Sequence, residues 1–186
     1  MEKQLLEIKG YYSMNNRNEF TDLNSWTGHI LLKDDLSFEG IVVDAGTNDD
    51  RLIAGTLVDY QGISLLKLNS LGYDPCAFYG FSDGEQIIGM FEAITPFGTF
   101  SCGKCKILLA TSQKDKDFES QLEERLETFK HQMGGFNNHL YSRLVENIQE
   151  TSDNFLQNLE EGREEIERQE NIKIKKLVIK NPNTNN

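Results

Sequence analysis

Eight short apolar runs in the first 110 residues, each cut off by turn-forming residues, limit the fold of this 186-residue chain more than any other feature. The runs cover 5–15, 27–33, 37–44, 52–59, 63–68, 76–81, 86–93 and 99–110. Between them stand Asp34-Asp35, Gly46-Thr47-Asn48-Asp49-Asp50, Gln61-Gly62, Asp74-Pro75, Asp83-Gly84 and Pro96-Phe97-Gly98, which all favour chain reversal. Asp83-Gly84 is the strongest two-residue hairpin signal among them. Eight strands at this spacing, with no helical period between them, predict an up-and-down antiparallel sheet. A sheet of that size curls into a barrel, because closure removes its exposed edges. Gly28, Gly40, Gly55, Gly80 and Gly89 recur inside the predicted strands, where glycine suits tight curvature.

Beyond residue 111 the period changes. Phe118, Leu122, Leu126, Phe129 and Met133 form one apolar stripe on a charged helix, which Gly134-Gly135 ends. Phe136, Leu140, Leu144, Ile148, Phe155, Leu159 and Ile166 continue as a second stripe. The expected architecture is therefore mainly β with α: an up-and-down antiparallel barrel of about eight strands over 1–111, followed by an acidic helical hairpin or extension over 112–170. Residues 171–186 are a tail, partly disordered and ending NPNTNN, in which the 172–179 stretch fits a short strand, a helix end or a docking tail.

A net charge of −11 argues against nucleic acid and against an anionic membrane surface as partners. The N-terminus lacks a signal-peptide pattern and no apolar run reaches the length of a membrane span. Three cysteines, Cys76, Cys102 and Cys105, are too few for a disulfide framework, so a reducing cytoplasm is the expected compartment.

The strand motifs Phe38-Glu39-Gly40, Ile53-Ala54-Gly55, Leu65-Leu66-Lys67, Phe78-Tyr79-Gly80, Ile87-Ile88-Gly89 and Gly98-Thr99-Phe100 resemble the glycine-and-aromatic pattern of calycin-like barrels, the broad group of lipocalin, fatty-acid-binding and avidin-type folds. The likeness to the small bacterial barrels of this kind covers residues 8–110. It implies a barrel with an internal cavity and names no activity.

With a period of two, Phe38, Val42, Ile53, Leu57, Leu65, Phe78, Ile87, Phe91 and Phe100 are assigned to the inside. The opposite parity carries Ile41, Val43, Leu52, Ala54, Val58, Leu66, Leu68, Ile88, Met90 and Leu108, too much apolar surface to leave in water. Either the helix stripes or a second subunit is expected to cover it.

Chemistry-bearing groups are sparse. Cys102-Gly103-Lys104-Cys105 has C-x-x-C spacing, which fits half a zinc site completed by Cys76 with His29, His131 or His139, a redox pair, or simply a strand bulge at Gly103. The last is favoured, and no metal or cofactor is assigned. Asp34, Asp35, Asp44, Asp49, Asp50 and Asp59 read as solvated turn residues. Asp44 and Asp59 share the inward parity with Lys67 and form either a polar mouth for a ligand or a structural ion pair. Trp26, Tyr11, Tyr12 and Tyr60 fall near strand ends, as a cavity lining or a core plug.

Two functions follow. The first is a non-enzymatic barrel that forms homo-oligomers or recruits a protein partner through its apolar outer face and helices. The second is a barrel that binds a small apolar or amphipathic ligand through Phe38, Val42, Leu57, Leu65, Lys67, Phe78 and Phe91, with Asp44 and Asp59 at the mouth. No catalytic residue is assigned.

Overall fold

The computed structural model describes residues 3–14, 20–60, 62–71, 76–94, 100–113, 115–132, 162–165 and 167–179. The strands are β1 (Gln4–Met14), β2 (Ser25–Leu32), β3 (Ser37–Asp44), β4 (Asp50–Tyr60), β5 (Ile63–Leu71), β6 (Cys76–Ser82), β7 (Ile87–Ile94) and β8 (Phe100–Thr111). Each pairs antiparallel with the next, and β8 returns to β1, so the eight strands form a closed up-and-down barrel. The described reversals at 33–36, 45–49 and 83–86 fall where the turn chemistry predicts, while Gln61, Asp74-Pro75 and Pro96-Phe97-Gly98 lie outside the described residues. At 83–86 the turn centres on Gly84 and Glu85 rather than on Asp83 and Gly84: the Asp83 N–H reaches the Gln86 carbonyl at 3.1 Å, and Gly84 takes φ +106°.

The inside is one apolar cluster that includes Leu6, Ile8, Trp26, Ile30, Phe38, Val42, Ile53, Leu57, Leu66, Leu68, Phe78, Ile87, Phe91 and Ile107. Inward glycines let neighbouring strands approach closely. At Gly89 a Cβ would overlap the Tyr79 carbonyl on β6. The expected inward set holds for Phe38, Val42, Ile53, Leu57, Phe78, Ile87 and Phe91. It fails on β5. Leu65 faces outward with Ile63 and Phe81, while Leu66 and Leu68 face inward. A one-residue change of parity flips every side chain of a strand, so Lys67 also faces outward, next to Thr56 and Tyr79 in the ladders. The side chains of Phe100 and Tyr60 lie outside the described residues.

Helix α1 (Lys116–Gln132) covers part of the apolar outer face. Asp115 caps it, its carboxylate accepting the N–H groups of Asp117 (2.9 Å) and Phe118 (3.2 Å). Phe118, Leu122, Leu126 and Phe129 pack on Leu5, Leu31, Ile41, Leu52, Ala54 and Leu71 of the barrel wall. Arg125 grips Asp50 at the start of β4 through its two terminal guanidinium nitrogens. Met133 and the second stripe up to Leu159 lie outside the described residues, as does Ile166.

The C-terminal stretch left open by the sequence is a strap. Residues 162–165 and 167–170 are helical. Asn171, at φ 52°, turns the chain away, and the Ile172 N–H donates to the Glu167 carbonyl at 3.1 Å. Ile174 then packs outside the wall on Ile63, Leu65 and Phe81. Lys175 bridges to Asp83, and Leu177 turns over the rim into the interior cluster, with Ile179 packed against it. This lower rim carries the turns at 33–36 and 83–86 and Gly62 between β4 and β5. The connections after β1, β3, β5 and β7 form the upper rim.

Candidate functional site

The interior changes character along the barrel axis. Towards the lower rim it is mostly aliphatic, with the Phe38 ring seated over Gly55. Towards the upper rim four aromatic rings line up across it: Trp26 meets Phe78 edge-on (5.3 Å between centroids), Phe78 stacks on Phe91 (5.9 Å), and Tyr12 meets Phe91 edge-on (5.4 Å). The indole of Trp26 lies over Gly10, its partner on β1, where any side chain would overlap it. Trp26 is 4% exposed. Its Nε1 donor has no hydrogen-bond acceptor among the described residues.

Polar groups gather above this row. Asp44 sits beside Trp26 in the β2–β3 ladder. One carboxylate oxygen accepts the Tyr12 hydroxyl at 3.4 Å, and the other accepts the N–H groups of Gly46 (2.9 Å) and Thr47 (3.2 Å). Arg51 shares the inward face of β4, opposite Val42, and its charge is felt by both Tyr12 and Cys76. It takes part in none of the ion pairs formed among the described residues. On the opposite wall the Ser70 hydroxyl accepts the Cys76 N–H at 2.9 Å.

Burial sets the protonation of this cluster. It pushes the Tyr12 phenol up, and the Asp44 carboxylate adds to the effect. It pushes the Cys76 thiol up to about 11 and the Cys105 thiol up to about 12. At neutral pH these groups are neutral hydrogen-bonding side chains rather than nucleophiles. The site is thus an aromatic wall with a cation, a carboxylate and neutral donors at one end, chemistry suited to the polar end of an amphipathic molecule.

The polar mouth expected from Asp44, Asp59 and Lys67 does not assemble. Asp44 is at the upper rim. Asp59 is at the lower rim, paired with Lys176 of the strap. Lys67 is on the outer face, where burial lowers its pKa against the opposing pull of Glu92. Of the expected ligand-lining residues, Phe78 and Phe91 join the aromatic row and Val42 lies beside it, Phe38 and Leu57 belong to the same interior cluster, and Leu65 is outside. Tyr11 is also outside, with Lys9 over its ring at 4.7 Å. Arg51, Ser70 and Cys76 were not in the expected set. Arg51 was readable in principle: it stands two residues before Ile53 and so has the same parity.

The C-x-x-C motif is divided by the wall. Cys102 is exposed on the outside of β8 and Cys105 is buried inside. Three residues apart in a strand means opposite faces, so the two sulfurs cannot share a metal or a bond. The ladder also runs through Gly103 without a bulge, and the missing side chain there makes room for Phe91. His29 lies outside against Phe118, His131 is exposed on α1, and His139 is outside the described residues. Among the described residues no cluster of metal-ligating side chains occurs. The acidic residues serve local structure: Asp35 accepts from the Ser37 hydroxyl and N–H, while Asp50 and Asp59 hold α1 and the strap.

A groove of about 530 Å³ runs along the outside of the barrel between α1 and β4, beside Leu52 and Phe129. Among the described residues no helix is long and apolar enough to cross a membrane. Compared with protein-family models, with curated proteins and with solved structures, the chain matches none.

Proposed function

We propose that the barrel binds a small amphipathic molecule, its polar end among Arg51, Tyr12 and the Trp26 N–H and its apolar body along the Phe78–Phe91 row. This is also what the resemblance to calycin-like barrels implies. One observation carries the reading: the Trp26 donor is buried with no acceptor among the described residues, at the end of the barrel where the charge of the inward-facing Arg51 reaches Tyr12 and Cys76. An unsatisfied buried donor costs about 1–3 kcal/mol, and an acceptor atom of a guest removes that cost.

Self-assembly through the outer face is the second reading. It keeps support from Val43 and Met90, large apolar side chains on the outer wall that are each 37% exposed. It loses support where α1 of the same chain already covers the wall. Native mass spectrometry of the protein purified from cells separates the two. Monomer carrying a discrete small-molecule mass is the expected result. A bare dimer or larger species would replace the ligand reading with the assembly reading.

A further inference from the structure

We propose that residues 172–179 are a displaceable plug, and that Leu177 occupies the place taken by the apolar end of a bound guest, so that strap and guest compete for the lower half of the barrel. The inference rests on the ligand-binding reading above.

Three observations converge on it. Among the described residues, Leu177 and Ile179 are the contributors to the interior cluster that belong to no barrel strand. Leu177 is 7% exposed and fills the lower end of the axis from outside the ladder. Occupation by the chain itself explains how an interior built for a guest stays filled without one.

The strap is also held differently from the strands. Its attachments at the rim are the N–H groups of Lys175 to the Ser82 carbonyl (2.8 Å), Leu177 to the Ser64 hydroxyl (3.0 Å) and Val178 to the Gly84 carbonyl (2.9 Å), with the Lys176–Asp59 ion pair beside them. The Arg163 guanidinium holds the Ile174 carbonyl at 2.8 Å. Lys173, Lys175, Lys176 and Val178 are exposed. Every barrel strand, by contrast, is paired along both edges. A segment with few buried side chains and few ladder bonds opens at a lower free energy than the structure it lies on.

Finally, the rim beneath the strap suits both states. Ser64, Ser82 and Asp59 lie where the strap crosses, and their oxygens can accept from water when it leaves. Withdrawal therefore uncovers a polar ring around an apolar shaft.

The test uses the full chain and its one tryptophan, Trp26, which reports from inside the barrel. The probe is 8-anilinonaphthalene-1-sulfonate, read by energy transfer from Trp26. The variants are Leu177→Ser, which removes the plug, and Ser64→Ala, which removes only its hydrogen-bond acceptor and leaves the core intact. A guest that binds only the open state has its affinity reduced by the open fraction, so both variants are expected to bind more tightly than wild type, Leu177→Ser by at least about tenfold given the value of burying one leucine. Hydrogen exchange at Lys175, Leu177 and Val178 is expected to be faster than at Leu66 and Gly80. Equal, measurable probe affinity in all three proteins overturns the plug and leaves the ligand-binding reading standing. Probe bound by none of them overturns both. Strap amides that exchange together with those of β5 and β6 overturn the plug by themselves.

Discussion

Gly10 and Trp26 face each other across the β1–β2 ladder, and the indole ring occupies the volume that a side chain at Gly10 would need. The contact fixes where the tryptophan lies in the barrel. Gly10→Ala is therefore expected to push the ring off its seat and cost about 1–3 kcal/mol, the usual penalty for overpacking. Urea denaturation followed by Trp26 emission measures both effects in one experiment. Unchanged stability together with unchanged emission would show that the ring is not held there.

Arg51 is the inward cation of the proposed polar end. Arg51→Leu keeps much of its volume and removes its charge. Affinity for the anionic naphthalene sulfonate probe is expected to fall about tenfold or more, in line with loss of a charge-assisted hydrogen bond. Lys67→Ala serves as the control, because that side chain is on the outer face, and it should leave the affinity unchanged. Equal losses in the two variants would mean that general charge, not the inner site, attracts the probe.

Leu122 is 2% exposed at the centre of the α1 contact. Leu122→Ala is expected to cost about 2–5 kcal/mol, transfer plus cavity. Guanidinium melts monitored by far-ultraviolet circular dichroism provide the check. A loss below about 0.5 kcal/mol, the range of surface substitutions, would mean that the helix does not dock on the wall in solution.

The three thiols should separate sharply by pH. At pH 8 a thiol with a pKa of about 11 is ionised in only about one molecule in a thousand, so Cys76 is expected to be nearly inert, and Cys105, at about 12, still more so. Cys102 is exposed and should react alone, giving one equivalent with an aromatic disulfide reagent in the native protein and three after unfolding. The slow reactivity of Cys76 should rise with pH towards 11, since its thiolate form grows in that direction. Two fast equivalents at pH 8 would contradict the buried setting of Cys76.

Much of this fold was legible because turn chemistry and strand parity are local properties. The eight runs and their reversals needed only Gly, Asp, Asn and Pro at intervals. The β5 error has a physical origin. Ile63-Ser64-Leu65-Leu66-Lys67-Leu68 is apolar on both faces, since one face meets the interior and the other meets the strap. Parity cannot be read from a strand buried on both sides, and Leu65 and Lys67 were misplaced together for that one reason. For the strap the sequence leaves three readings open, a docking tail being one, because its three exposed lysines obscure the pattern by which Ile174 packs on the outer wall and Leu177 enters the interior. The site was only half readable. Trp26 and Tyr12 were visible as aromatics near strand ends, but their meeting with Arg51 and Cys76 depends on closure, which brings β1, β4 and β6 around one axis.

That closure has a price in time. β1 finds its second partner in β8, with paired residues such as Leu6 and Thr111 about a hundred positions apart, and contacts of such long sequence separation slow folding. During synthesis β1 leaves the ribosome long before β8 exists. Until then Leu6 and Ile8 lie on an edge strand with one edge unpaired, an adhesive surface for other nascent chains. The seam between the first and last strands is therefore the place where a chaperone, a slowed codon or a destabilising substitution would most change how much barrel a cell recovers.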